Sequence, residues 1–137
     1  MHFHIVLSFM SFKMTNSCVQ TRNISIRRMF LPGDTNHLGK VFGGKLLCEI
    51  DLAGAIEARQ HTNKQVVTRA IKEIEFRHPV EVGNVVTFYT RLISLGRTSI
   101  TVEVEVESNI GGKQVVTLTA AQIVYVTIDE NGAKTTI

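Results

Sequence analysis

The chain has 137 residues, of which 44% are hydrophobic and 20% are charged, and its formal net charge is +3. This length suits one domain with its own core, and the composition is ordinary for a globular protein. The mild basicity fits a phosphate-bearing ligand. No basic run of the kind found in nucleic-acid-binding arms is present, so we expect no nucleic-acid partner.

Residues 1–20 are predicted to form a disordered extension, and residues 21–137 a single domain. The apolar opening, residues 1–12, is followed by the first basic residue, Lys13, and has no small-x-small cleavage site. Both features disfavour a secretory signal peptide, and the segment is too short to span a bilayer. Met14 is an alternative start. We therefore expect a cytoplasmic protein that does not associate with membranes.

The predicted elements are one strand, one long helix and four further strands. The first strand covers residues 21–30 and is followed by a turn-rich segment at 32–36. Apolar residues at helical spacing predict a helix over residues 43–59. Further strands are predicted at 65–76, 84–93, 100–107 and 115–128, with a tight connection at 95–98 and a hairpin signal at 109–112.

The order of elements predicts an α+β fold in which one helix covers a curved antiparallel sheet. The connections after the helix are short, whereas parallel crossovers need a dozen or more residues, so the last four strands are predicted to form a meander. Small residues on the helix would let the sheet wrap closely around it; they are Ala53, Gly54, Ala55 and Ala58.

The sequence predicts no catalytic or metal-binding role for the glutamates of residues 100–107, the cysteines or the histidines. Residues 100–107 alternate between apolar and acidic side chains, which predicts that Glu103, Glu105 and Glu107 form a solvated strand face. Cys18 and Cys48 do not suggest a disulfide framework, and Cys48 is predicted to be a buried structural thiol. The five histidines match no metal-ligand pattern, so no metal site is expected.

Asp51 is the candidate for chemistry, because a carboxylate at the edge of an apolar helix stripe is costly unless it has a role. Gly43 and Gly44 open the same helix. A helix N-terminus offers unpaired N–H groups to an anion or a developing oxyanion, and glycine lets a ligand approach the backbone. The pattern favours an acyl-transfer or hydrolysis site, with a solvated or merely structural Asp51 as the alternative.

Four segments resemble the hotdog-fold acyl-CoA thioesterases, in particular the YciA type, which is related to the cytosolic acyl-CoA hydrolases of animals. The segments are LPGDTNHLGKVFGG at 31–44, IDLAGA at 50–55, FRHPVEVGNVV at 76–86 and GRTSI at 96–100. Their order along the chain makes the resemblance specific. It implies hydrolysis of short- to medium- or long-chain acyl-CoA to fatty acid and CoA, without a metal or a bound organic cofactor.

The resemblance also implies an assembly and a division of roles. Family members form homodimers with active sites at the subunit interface, and many are trimers of dimers, that is, hexamers. Asp51 would act as general base or as nucleophile. Asn36, from the opposite subunit, would hold the water or donate to the thioester oxygen. The N–H of Gly43 or Gly44 would bind the oxyanion.

Binding of CoA phosphates is assigned first to Arg97, on a tight turn with Thr98 and Ser99, because guanidinium suits phosphate and hydroxyls add donors. Weaker candidates for the same role are Arg59, Lys72, Arg77 and His78.

Other functions on the same fold are a hydratase/dehydratase and a non-enzymatic acyl-CoA-binding protein. The former uses a histidine with an acid on the helix, and this helix carries no histidine. A regulator of the latter kind needs a DNA-binding module, and residues 1–20 leave no room for one. A third class, hotdog thioesterases with a tyrosine and an early aspartate, is disfavoured because its Asn-Asn-Tyr pattern is absent.

Overall fold

The structure, a computed structural model, describes residues 21–110 and 114–137. Its strands are β1 (Asn23–Met29), β2 (Gln65–Phe76), β3 (Val85–Leu95), β4 (Ser99–Ile110) and β5 (Gln114–Ile128), and its long helix is α1 (Gly43–Arg59). A short 3-10 turn covers Pro32–Asp34. The predicted extension over 1–20 and the glycines of the predicted hairpin at 109–112 lie outside the described residues.

The five strands form one antiparallel sheet, and α1 packs against it. This confirms the predicted fold class. The strand order, β1-β3-β4-β5-β2, differs from a meander of four consecutive strands. Only β3, β4 and β5 form a meander, whereas β2 pairs with β5 at one edge of the sheet and β1 pairs with β3 at the other.

The segment between β2 and β3 explains this order. Pro79 has no N–H to donate to a ladder, and the neighbouring Val80 is buried. The N–H of Gly83, which has a φ of +86°, donates to the carbonyl of Phe30 just after β1 over 3.2 Å. The segment is thus fixed near β1, so the chain re-enters the sheet there and leaves β2 at the far edge.

The core lies between α1 and the inner face of the sheet. Ile50 and Ala53 of α1 are fully buried, as are Phe88, Ile123 and Tyr125 of the sheet. Burying a large apolar side chain contributes about 2–3 kcal/mol relative to leaving it exposed. Bulges in every strand pair bend the sheet around the helix.

The glutamates of β4 are not the solvated face that alternation predicted. Glu103, Glu105 and Glu107 are half-buried on the outer face of the sheet. Arg91 binds Glu103 through two nitrogens, at 2.8 and 2.5 Å, and Arg22 binds the other two glutamates. The alternation of apolar and acidic residues correctly predicted that these side chains lie on the outer face of the sheet. It does not predict which arginines contact them there.

Cys48 is exposed, so its predicted burial was wrong. The core-facing stripe of α1 runs through Leu46, Ile50 and Ala53, and position 48 lies off that stripe. In the described part of the chain, no helix is long and apolar enough to cross a membrane.

Candidate functional site

Asp51 lies in the middle of α1, half-buried where the helix meets β2 and β5. Its Oδ1 accepts a hydrogen bond from Thr68 Oγ1 at 2.7 Å and a second from the Tyr125 hydroxyl at 3.2 Å. Within the described residues its Oδ2 accepts none. The carboxylate therefore has one anchored oxygen and one oxygen available to a ligand.

Tyr125 is fully buried, and its hydroxyl also donates to the main-chain carbonyl of Asp51 at 2.7 Å. Burial raises the pKa of Tyr125 far above its ordinary value, and the nearby charge of Asp51 raises it further. The phenol therefore stays protonated and remains a donor.

Asn36 closes the loop that precedes α1. Its side-chain Oδ1 accepts from the N–H of Leu38 at 2.9 Å and from the N–H of Lys40 at 3.2 Å, while its own N–H donates to the Lys40 carbonyl. This is the local bonding expected of asparagine in a turn. Its Nδ2 donates to no acceptor in the described residues, so the amide group is free for a ligand.

Gly43 and Gly44 form the first two positions of α1, after the N-cap Phe42. The N–H groups of Lys45 and Leu46 donate to the Phe42 carbonyl, but those of Gly43 and Gly44 find no acceptor among the described residues. A Cβ at position 44 would come within 2.7 Å of the Phe42 ring. The helix therefore presents two free donors at its positive end.

Asn36 and Gly43 share a groove of about 340 Å³. Arg77 and His78 line one of its walls. Lys40 also lines it, and apolar side chains complete the lining; they are Leu38, Val41, Leu46, Phe76, Pro79 and Val80. Asp51 does not line this groove, because it lies eight residues after Gly43 on α1, a distance of about 12 Å along the helix. The chain thus keeps two candidate half-sites apart: the groove with its amide donors, and the carboxylate further along α1.

The predicted CoA ligands do not converge within the described chain. Arg97 is exposed on the turn between β3 and β4, and its guanidinium pairs with no described acidic side chain. The carbonyls of the flanking residues Thr98 and Ser99 accept backbone hydrogen bonds that fix the turn. Arg59 is exposed at the end of α1. Arg77 pairs with Glu75 at 3.1 Å.

Glu57 is a buried acid that sequence reasoning missed. Burial opposes its ionisation, but hydrogen bonds from His61, Thr90 and Asn23 outweigh burial and hold the pKa of Glu57 below its usual value. These partners tie α1 to β1 and β3, so the role is structural. Nowhere in the described ranges do three His, Cys, Asp or Glu side chains converge as a metal site would require.

Thr68 and Tyr125, the hydroxyl partners of Asp51, were also missed. One available signal was Gly54, which is costly inside a helix and therefore indicates close approach by another part of the chain. A Cβ at this position would overlap the Tyr125 hydroxyl oxygen. The sequence does not reveal which strand makes that approach.

Comparison with known proteins gives the family. A family model described as the thioesterase superfamily matches residues 38–115, more than half of the chain. The chain belongs to this superfamily. The matched range begins just before Gly43 and contains Asp51 and Thr68 together with β3 and β4.

Individual relatives agree with this assignment. The acyl-CoA thioester hydrolase YciA of Salmonella typhimurium is 37% identical over 113 residues, 78% of this chain and 84% of the relative. A hexameric hotdog-fold thioesterase of Campylobacter jejuni superposes with a TM-score of 0.78 at 36% identity, over 83% of this chain and 89% of the other. An acyl-CoA hydrolase of Staphylococcus aureus, solved with butyryl-CoA and CoA, superposes with a TM-score of 0.75 at 27% identity, covering 81% and 67%.

Proposed function

We propose that this thioesterase-superfamily protein hydrolyses acyl-CoA to a free fatty acid and CoA. The observation that carries the proposal is the Asp51 carboxylate, whose Oδ1 is held by two hydroxyls while Oδ2 remains available. The acyl-CoA substrate follows from the similarity to YciA and to the hydrolase solved with butyryl-CoA. The expected cytoplasmic location and the absence of a cofactor remain predictions.

The active site is proposed to form between two subunits. Strand β2 spans 12 residues and has no described strand on its outer side, so it presents an open edge of about 40 Å. Such an edge needs to be paired or covered. Leu52 and Ile56, which follow Asp51 on α1, and Val67, which precedes Thr68 on this strand, are exposed apolar side chains. A second copy paired along β2 would cover them and could bring its own groove to Asp51.

This dimer joins the two half-sites that one protomer keeps apart. Asp51 of one subunit would face Asn36 and the N-terminus of α1 of the partner. Relatives of known structure are described as hexameric, which supports a trimer of such dimers as the complete assembly.

The chemistry follows from the free groups. Asp51 Oδ2 either takes a proton from water as the water attacks the thioester carbon, or attacks that carbon itself and forms an anhydride that water then opens. Asn36 Nδ2 donates to the water or to the thioester oxygen. The N–H groups of Gly43 and Gly44 stabilise the oxyanion, a contribution of about 3 kcal/mol for one donor. CoA leaves as the thiolate and is protonated.

The direct test is release of free thiol from purified protein and a series of acyl-CoAs of graded chain length, with a metal chelator present. We expect turnover on at least part of the series and no effect of the chelator, because no proposed step uses a metal. Heat-inactivated protein is the control. Binding of acyl-CoA without turnover at any chain length would favour the non-enzymatic alternative and overturn the proposal.

Arg97→Ala is predicted to weaken binding of the CoA nucleotide without impairing the chemistry. Loss of one charged contact to phosphate should raise KM for acyl-CoA about tenfold, with little change in kcat. The KM for the matching acyl-pantetheine, which lacks the nucleotide, should not change. Lys64→Ala removes an exposed cation from the turn before β2 and serves as control. An equal effect of Arg97→Ala on both substrates would exclude Arg97 from phosphate binding.

A further inference from the structure

We infer that Tyr125 is a positioning residue for Asp51, and that Gly54 is required for it to act. The inference rests on the proposed function of Asp51, and it assigns a task to a fully buried tyrosine. The geometry behind it is a three-residue contact between the middle of α1 and β5.

The phenol hydroxyl of Tyr125 reaches Asp51 at two atoms. It lies 2.7 Å from the main-chain carbonyl oxygen and 3.2 Å from Oδ1. The first contact fixes the hydroxyl against the helix backbone, and the second reaches the carboxylate. The single phenol proton is shared between these two acceptors, and Thr68 donates to Oδ1 at 2.7 Å. Rotation of the carboxyl group would therefore lose the Thr68 bond and the longer branch of the Tyr125 bond. Oδ2 is thereby held in one direction.

Gly54 makes this contact possible. It lies three residues after Asp51, on the same side of α1. A Cβ at position 54 would overlap the Tyr125 hydroxyl oxygen and would come within 3.1 Å of the ring carbon Cζ. Any larger residue would displace the phenol from the helix. Glycine inside a helix costs about 1 kcal/mol relative to alanine, so the position gives up helix stability while admitting the hydroxyl.

The surroundings of Tyr125 keep this contact rigid. The side chain is fully buried, and its strand neighbours Ile123 and Thr127 are also fully buried. The described groups that face the Asp51 carboxylate from the adjacent strands are the neutral hydroxyls of Thr68 on β2 and Tyr125 on β5. Removing one hydroxyl therefore changes the carboxylate's hydrogen bonding without removing a counter-charge.

Tyr125→Phe deletes only the hydroxyl. We expect kcat to fall about tenfold with KM within about twofold, since a hydrogen bond to a charged group is worth that factor or more.

Two further variants separate positioning from general stability. Tyr89→Phe is the matched control, because Tyr89 stacks under Arg22 on the outer face of the sheet; its kcat and KM should equal those of the wild type. Gly54→Ala should lower kcat with little change in KM, as Tyr125→Phe does. The double variant should lose less than the two single losses combined, because the closest contact, with the hydroxyl, is then absent, although the contacts with ring carbon Cζ at 3.1 Å and Ile123 Cδ1 at 3.2 Å remain. A purely structural role would lower the unfolding temperature without lowering the kcat of the folded protein.

The outcomes are distinguishable from failure of the proposed function. Normal kcat in Tyr125→Phe, with Asp51→Asn inactive, would overturn the positioning role alone. Additive losses in the Gly54→Ala/Tyr125→Phe double variant would also overturn it. No turnover by the wild type, or near-normal turnover by Asp51→Asn, would instead overturn the thioesterase proposal.

Discussion

Asp51→Asn is expected to lower kcat for acyl-CoA hydrolysis by about 10³-fold or more, because the amide can neither accept a proton nor attack the thioester. The replacement keeps the shape of the side chain. Its carbonyl oxygen can still accept from Thr68 and Tyr125, which bond to Oδ1 in the wild type. The fold should therefore survive, and CoA should bind with unchanged affinity. Steady-state kinetics and CoA titration together measure both effects.

The control for this variant is Glu130→Gln, which removes an exposed carboxylate from the turn after β5. Its activity should equal that of the wild type. If Asp51→Asn retained more than a tenth of the wild-type kcat, the carboxylate would have no essential role. The hydrogen bonds from Thr68 and Tyr125 to Oδ1 would then be interpreted as structural.

Asn36→Asp is expected to lower kcat about 100-fold, an effect typical of losing one donor to an oxyanion. The loop before α1 should keep its conformation. An aspartate can still accept from the N–H groups of Leu38 and Lys40, as the asparagine Oδ1 does. It cannot donate, and it adds a negative charge where the transition state develops one. The measurement is kcat at saturating acyl-CoA.

Asn36→Ala provides the comparison, because it removes the loop hydrogen bonds and the amide donor together. Each lost hydrogen bond costs about 1 kcal/mol, so Asn36→Ala should also unfold at lower temperature, whereas Asn36→Asp should not. If Asn36→Asp were fully active and only Asn36→Ala were impaired, the side chain would serve the loop and not the reaction.

Local patterns predicted the helix and most strands well. The apolar spacing and the glycine start gave α1 its bounds, and alternating β-branched residues identified the long strands. The position of β2 was not predictable in this way, because strand order depends on where the segment between Phe76 and Val85 crosses the molecule. That path is set by contacts such as the one between Gly83 and Phe30, which are 53 positions apart in the sequence.

The same difference between local and long-range information applies to the candidate site. Local chemistry was enough to predict Asp51, Gly43 and Gly44 as candidates, because the start of a helix and an acid on the same helix are close in sequence. Thr68 and Tyr125 lie 17 and 74 residues from Asp51, on strands whose side-chain direction depends on register and bulges. A one-residue shift in register would turn either hydroxyl to the opposite face. Only the folded sheet identifies them as partners of the carboxylate.

Cys48 and the glutamates of β4 illustrate a further limit. Composition and periodicity assign a side chain to a face, but exposure also depends on what lies opposite. Cys48 faces no described partner element and is exposed, whereas Glu103 is covered by Arg91 from β3.

The proposed site requires that Asp51 and Asn36 act together from different subunits, and mixing two inactive variants tests this most directly. Asp51→Ala and Asn36→Ala chains, co-expressed with different tags and purified as mixed oligomers, should regain turnover. In each mixed dimer one site then combines an intact Asp51 from one chain with an intact Asn36 from the other. Mixed oligomers as inactive as either parent would show that the two residues do not meet across a subunit interface.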